Sequence, residues 1–362
     1  MSEDDNMAAG WYEATRVAGP QRPRLNFDLD VDVCVIGAGL AGLTVAREVA
    51  RRGWSVAVLE ANQLAWAASG RNTGFVLPGF HEALDSIVER VGLDHAKQLW
   101  ALSEQGLDYV RRAIEETGMP GTDPVPGWLH VSKTDNGGNI RSEVERLRWI
   151  GANVEAWPTE RVREVLPNPR YFNALHFPGA IHIHPLNYAL GLAVDAEAYG
   201  ARIFEQTPVV AIDPAGVRKR IETQGARVRA AHVVLACNVH LGDLMPRLGA
   251  TLLPITTFVL VTEPIPVLDQ FVHWRGAVSD TNRADNHYRV VGGNRLQWSG
   301  RMRAWQSDAR WVRRGLIADI RRNFPDLGKV EIAHLWSGTL GRAIHRMPQI
   351  GEIERWLWVT SG

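Results

Sequence analysis

Residues 31–60, VDVCVIGAGLAGLTVAREVARRGWSVAVLE, decide the fold. The apolar run Val31-Asp32-Val33-Cys34-Val35-Ile36 is short and rich in β-branched residues, which predicts a buried parallel strand. It breaks at Gly37-Ala38-Gly39-Leu40-Ala41-Gly42, after which Leu43, Ala46, Val49 and Ala50 fall on one helical face. A second strand, residues 55–59, ends at Glu60. In a dinucleotide-binding βαβ unit each glycine has a separate task. Gly37 permits the tight strand-to-helix turn, Gly39 lets the backbone approach a pyrophosphate, and Gly42 lets helix and strand pack closely. The helix N-terminus offers unpaired N–H groups and a positive dipole end to phosphates. Glu60 stands 18 residues after Gly42, at a strand tip where a carboxylate accepts hydrogen bonds from ribose hydroxyls. This spacing does not choose between FAD and NAD, although an acid at position 60 argues against a 2′-phosphate.

Working outward, a chain of 362 residues buries a core large enough for two domains, or for one domain with an insertion. Its 40 basic and 40 acidic residues cancel, so no general attraction to nucleic acid or an anionic membrane is implied. Cys34 and Cys237 both lie in apolar runs and read as buried thiols in a reducing compartment, not as a disulfide or metal pair. The opening MSEDDNMAAG has no basic and apolar leader pattern, and no apolar stretch reaches bilayer length, so the expectation is a cytoplasmic protein. His182 and His184 alternate without a third ligand nearby, so no metal is predicted. The 14 tryptophans are scattered and read as core and pocket walls.

Residues 1–25 read as an irregular arm, with Pro20 and Pro23 opposing regular structure. Leu99, Leu102, Leu107, Val110 and Ile114 predict a long helix stopped by Gly118 and Pro120. A strand at 128–131, helices at 138–150 and 158–166, and a helix from His184-Pro185-Leu186 to Tyr199 follow. Strands are predicted at 201–204, 209–212, 218–223 and 230–236, then in a β-rich stretch from 251 that contains His287-Tyr288-Arg289. A helix over 307–323 should turn Trp311, Leu316 and Ile320 inward. Strands at 332–336 and 357–360 flank a loop through Pro348-Gln349-Ile350-Gly351. The expected fold is α/β (α+β overall), a Rossmann-like domain carrying a β-rich insertion. Residues 26–78, 178–250 and 335–362 would form the discontinuous dinucleotide domain, and 79–177 with 251–334 the substrate domain. The βα alternation that an NAD-linked dehydrogenase would continue fails after residue 79.

The glycine motif with Glu60, followed by Trp66-Ala67-Ala68-Ser69-Gly70-Arg71-Asn72, resembles the FAD-dependent oxidoreductases of the D-amino-acid oxidase/glycine oxidase (DAO) superfamily. The A-S-G-R-N run is most like the γ-glutamylputrescine oxidoreductase branch. Looser likeness extends through Trp11-Tyr12-Glu13-Ala14-Thr15, His184-Pro185, Gly200-Ala201, Ala236-Cys237-Asn238, Trp336-Ser337-Gly338 and Pro348-Gln349-Ile350-Gly351. The resemblance implies FAD held by Gly37, Ala38, Gly39, Leu40, Ala41, Gly42, Glu60, Ala61, Ser69, Gly70, Arg71, Asn72, Val209, Ala236 and Cys237. Glu60 would hold the ribose, the Val209 backbone would meet adenine, and Ser69, Arg71 and Asn72 would line the pyrophosphate and flavin. Two departures stand out. Thr73 replaces a glycine frequent after the R-N pair, and the chain stops at Gly362, where relatives run into a glycine-rich turn and a final helix. The second departure gives the expectation of a truncated member.

The activity the resemblance implies is oxidation of the C–N bond of a small amine or amino acid. Hydride passes to flavin N5, the imine hydrolyses, and oxygen or another acceptor reoxidises the flavin. The cofactor supplies the difficult chemistry, so no catalytic protein residue is expected. Substrate-pocket candidates are Trp66, His287, Tyr288 and Arg289, with Arg289 able to grip a carboxylate. A strand Tyr-Arg pair is more often one buried and one solvated side chain. Two alternatives stand beside this reading: an inactive truncated chain with weak or no FAD binding, and an NAD-linked dehydrogenase.

Overall fold

The apolar run that opens the glycine motif becomes the centre of a parallel sheet. The structure, a computed structural model, describes residues 10–281, 286–304 and 309–361. Residues 1–9 of the expected arm, positions 307 and 308 of the expected helix, and Gly362 lie outside the described residues. The chain begins with α1 (Trp11–Ala14), β1 (Leu29–Ile36), α2 (Leu40–Ala50), β2 (Val56–Leu59), β3 (Phe75–Val76), α3 (Leu84–Val91) and α4 (Leu93–Thr117). Next come β4 (Val125–Val131), α5 (Gly137–Trp149), β5 (Glu155–Trp157), α6 (Thr159–Val165), β6 (Ala174–His182) and α7 (Pro185–Ala198). They are followed by β7 (Arg202–Phe204), β8 (Val209–Asp213), β9 (Lys219–Thr223), β10 (Arg227–Leu235) and α8 (Pro246–Gly249). The last third holds β11 (Leu252–Thr262), β12 (Ala277–Asp280), β13 (His287–Val291), β14 (Arg295–Arg303), α9 (Ala309–Asn323), β15 (Ile332–Ala343), β16 (Gln349–Glu354) and β17 (Leu357–Ser361).

The first sheet runs β16-β17-β10-β1-β2-β7, with the β8–β9 hairpin attached to β10. Val35 of β1 lies opposite Val234 of β10 and Val58 of β2, both in parallel register. A central strand covered on both faces carries apolar residues almost continuously, and Cys34 and Val35 are fully buried. The second sheet runs β15-β11-β14-β13-β12-β4-β6-β3, with β5 on β6, and is antiparallel apart from the β12–β4 pair. On its outer face Tyr288, Trp298 and Phe324 pack with Leu316 and Ile320 of α9. On its inner face Val259, Val261 and Trp336 join one core with Val33, Val35 and the inward sides of α2 and α7.

Arg47, 1 % exposed, ties three helices together. Its Nε donates to Asp195 on α7, and its Nη atoms donate to Glu48 at 3.1 Å, Tyr109 on α4 at 2.9 Å and Glu116 at 3.3 Å. Among the described residues no helix is long and apolar enough to cross a membrane.

Several sequence expectations need correction. The arm is anchored, because α1 inserts Tyr12, 2 % exposed, between the sheets. Trp311 is 77 % exposed, while Val312, Leu316 and Ile320, spaced by four, fill the inward stripe of α9. Tyr288 and Arg289 are both buried, because the second sheet is covered on both faces. The segment at 349–354, read as part of a loop, is the edge strand β16; Ile350 there is 76 % exposed, so no buried pattern marked it. Strand β15 lies wholly in the second sheet, although the sequence reading began the last segment of the first domain at 335.

Candidate cofactor and active site

Gly37 closes β1 with φ +102°, a backbone region costly for any residue with a Cβ. A Cβ there would lie 2.8 Å from the carbonyl oxygen of Ala236 and 3.1 Å from the nitrogen of Cys237. Gly37 N donates to Leu59 O at 2.9 Å, and Ala236 N donates to Ile36 O at 2.8 Å. The carboxyl ends of β2, β1 and β10 are thus drawn together at the N-terminus of α2, the crevice where open α/β sheets take ligands.

Above this turn Glu60 is clamped by backbone. Its Oε2 accepts from Ala38 N and its Oε1 from Asn62 N, each at 2.8 Å. Thr207 N donates to Glu60 O at 2.7 Å, which brings the segment leading to Val209 and β8 back to the same corner. Gly39 precedes α2 without a side-chain cap. Ser69 reaches across in its place: its Oγ accepts from Leu40 N at 3.0 Å and would lie 2.8 Å from a Cβ at Gly39. A Cβ at Gly42 would sit 2.0 Å from Gly37 O, so the helix meets the turn only because position 42 is glycine.

The loop through Ser69 to Gly74 is shaped from within. Gly70 N donates to Ala65 O at 3.0 Å, and Ala65 N donates to Ala38 O at 3.0 Å. The Asn72 amide donates to Ala68 O and Ser69 O at 3.1 and 2.8 Å and accepts from Gly74 N at 2.7 Å, so Asn72 braces the loop. The Arg71 guanidinium lies 4.7 Å from the centre of the exposed Trp66 ring, and Trp336 Nε1 donates to Arg71 O at 2.9 Å. Ala61 is exposed beside Glu60. Cys237, half-buried just past β10, has its thiol pushed up to about 12 by burial. It is therefore a neutral thiol, not a nucleophile.

The substrate candidates divide by strand parity. Tyr288 faces outward into the core, stacked 4.9 Å from Trp298, and takes no part in a cleft. His287 and Arg289 face the opposite way. His287 Nδ1 pairs with Ser279 Oγ at 2.8 Å, which also accepts from Trp128 Nε1 at 2.9 Å, and Phe75 lies edge-on to the imidazole. The Arg289 guanidinium, expected to be free for a carboxylate, is engaged by His182, Ile183, Tyr12 and Gln297. Sequence reasoning missed Tyr12 and Gln297 as site residues, since no local motif connects positions 285 residues apart. His182 and His184 are held down at about 3 and about 4, chiefly by burial and then by the nearby Arg289 charge. Among the described residues no group of three or more His, Cys, Asp or Glu side chains could hold a metal. A cavity of about 460 Å³ lies between the arm, α4 and α7 and shares no residue with the glycine turn.

Comparison with known proteins agrees with this geometry. Residues 32–362 match the sequence profile of DAO, described as FAD dependent oxidoreductase. The chain is 30 % identical to the probable oxidoreductase OrdL of Haemophilus influenzae, over 97 % of this chain and 83 % of that protein. It is 31 % identical to the gamma-glutamylputrescine oxidoreductase of Escherichia coli K12, over 93 % of this chain and 80 % of that protein. Among solved structures, glycine oxidase from Geobacillus kaustophilus superposes with a TM-score of 0.77 at 23 % identity, covering 92 % of this chain and 89 % of that one.

Proposed function

The chain belongs to the DAO family of FAD-dependent oxidoreductases, and from that premise we propose that residues 37–42, Glu60 and the 69–74 loop hold FAD for the oxidation of a small amine or amino acid. The cradle at the α2 N-terminus carries this reading. At Gly37 and Gly42 the surrounding backbone leaves no room for a Cβ, at Gly39 the Ser69 hydroxyl crowds one, and a backbone-clamped carboxylate stands beside them. That combination suits a dinucleotide: close backbone approach for the pyrophosphate, N–H groups for its charge and an acid for the ribose.

In this assignment Glu60 holds the adenosine ribose, with Ala61 beside it and Val209, Ala236 and Cys237 flanking the adenine half. Ser69 and Arg71 serve the pyrophosphate, and the braced backbone at 72–74 faces the flavin ring. Bound FAD supplies the hydride acceptor, so the chain needs to orient the amine α-carbon and exclude water, with no acid–base residue of its own. Trp66 and His287 remain pocket candidates, the latter fixed by the Ser279–Trp128 relay. Relatives named for gamma-glutamylputrescine and glycine support a substrate with an amino group on a small, flexible carbon chain. The two free thiols fit the reducing, cytoplasmic setting expected from the sequence. Neither the inactive nor the NAD-linked alternative draws support from the family match over residues 32–362.

The test is direct. The purified chain should bind FAD stoichiometrically, with a visible flavin spectrum, and Glu60→Gln should weaken binding by about tenfold, the worth of roughly one charge-assisted hydrogen bond. A panel of amines and amino acids should then bleach the bound flavin anaerobically. Wild-type protein that takes up NAD and not FAD refutes the reading.

A further inference from the structure

Arg289 is a buried cation without an anion. It is 3 % exposed, on the face of β13 turned toward the first sheet. Its Nη1 donates to His182 Nδ1 at 2.6 Å and Ile183 O at 2.8 Å, and its Nη2 to Tyr12 Oη at 3.0 Å and Gln297 Oε1 at 3.3 Å. Its Nε is buried with no hydrogen-bond partner. Every one of these partners is neutral. His182 accepts at Nδ1 and donates its Nε2–H to Arg275 O at 2.9 Å, and its proton affinity is held far down. The Tyr12 phenol is pushed up by burial and donates to Gln297 Oε1 at 3.0 Å. Among the described residues no carboxylate pairs with the guanidinium. Burying an uncompensated charge is strongly unfavourable, and such a charge is retained most readily where a ligand brings the opposite sign.

Its location says which ligand. Gly74 has φ +79°, and a Cβ there would lie 2.8 Å from Arg289 Nη2 and 2.2 Å from Ile183 O, so the guanidinium abuts the loop backbone itself. Gln297 bridges the two, accepting from Arg289 and donating through Nε2 to Thr73 O at 2.8 Å. The cation therefore stands directly behind residues 73–74, the stretch assigned above to the flavin ring, and the inference rests on that assignment. Hydride transfer adds two electrons and one proton to a flavin, leaving the ring with a negative charge until a second proton arrives. A fixed cation in a water-poor site stabilises that charge without reorganisation. We propose that Arg289 is the electrostatic counterweight of the flavin site, a guanidinium kept free of carboxylates so that the reduced ring becomes its counter-ion, with Tyr12, His182 and Gln297 as neutral positioning residues.

The experiment uses FAD-loaded wild type, Arg289→Met, Arg289→Lys and Gln297→Glu. The readouts are the sulfite dissociation constant, since sulfite addition leaves negative charge on the ring, and the two-electron midpoint potential. Arg289→Met should weaken sulfite binding by about tenfold or more and lower the potential correspondingly, where tenfold equals about 30 mV. Arg289→Lys, which keeps the charge, should restore most of both. Gln297→Glu, which sets a carboxylate beside an intact guanidinium, should move both readouts in the same direction as Arg289→Met. A purely structural arginine would lower the melting temperature of Arg289→Met while leaving sulfite affinity and potential in place, and that result overturns the proposal. Should Arg289→Met fail to hold FAD, unmoved readouts in Gln297→Glu overturn it equally. Wild type that takes up no FAD refutes the functional reading and this proposal together, whereas FAD uptake with unmoved sulfite affinity refutes this proposal alone.

Discussion

Gly42→Ala sets two effects of opposite sign against each other. Gly42 sits inside α2 with ordinary helical backbone, where alanine is intrinsically favoured over glycine by about 1 kcal/mol. Space forbids the gain. The added Cβ would stand 2.0 Å from Gly37 O and 3.2 Å from both Gly37 C and Ala236 Cβ, atoms fixed by the turn and the end of β10. Non-bonded contacts of this kind relax at roughly 3.5 Å, so α2 must withdraw from the turn by about 1.5 Å. Overpacking of this sort costs about 1–3 kcal/mol. Withdrawal also stretches the 3.0 Å Leu40 N–Ser69 bond, the loss of which costs about 1 kcal/mol. With the propensity gain deducted, the net is a loss of about 1–3 kcal/mol. Urea unfolding of the FAD-free chain, followed by far-UV circular dichroism, reads this as a lower midpoint at unchanged slope. An FAD titration of the folded fraction should show weakened binding. Gly39→Ala is the contrast, because its Cβ meets only the Ser69 side chain, nearest at the hydroxyl at 2.8 Å, and adding Ser69→Ala should remove most of its steric cost. A Gly42→Ala chain as stable as wild type, or more so, refutes the packing argument.

Three further outcomes follow from buried histidines and a buried arginine. His182 and His184 titrate at about 3 and about 4 in the native state against an ordinary 6.5, so between these values the unfolded chain binds more protons and stability falls as pH falls. At pH 5 the loss is about 2 kcal/mol per histidine; urea midpoints at pH 7 and 5 measure it, and a His182→Asn chain showing the same pH dependence would count against the assignment. Asp195→Asn takes from Arg47, 1 % exposed, its least exposed carboxylate and should cost about 2 kcal/mol in the same assay. Glu116→Gln, which removes a carboxylate that is itself about half exposed, should change the midpoint little.

The βαβ unit was legible because its signals are local: a β-branched run, three spaced glycines, a helical stripe and an acid at the next strand tip all fall within 30 residues. The helix ending at Thr117 was likewise marked by its own stop, Gly118 in left-handed conformation. Errors arose where tertiary context decides. Alternation in β13 correctly sent Tyr288 and Arg289 to opposite faces, but a sheet covered on both sides buries both. Trp311 was expected to face inward with Leu316 and Ile320, yet the inward stripe belongs to Val312, Leu316 and Ile320. Pro20 and Pro23 lie in a stretch without helix or strand, but they carried no sign of Tyr12, whose partners lie at 289, 297 and 336. The Arg289 cluster was illegible for the same reason, since its members come from α1, the end of β6, β13 and β14.

Tyr12 also orders events in time. Its hydroxyl bonds to residues 277 and 285 positions further along the chain, so Tyr12 finds its place only after β13 and β14 have been made. At roughly 5–20 residues per second, Trp11 and Tyr12 wait about 15–60 seconds with their aromatic surface exposed before Gln297 exists to receive them. The clasp between the sheets therefore cannot close until β13 and β14 exist to receive Tyr12.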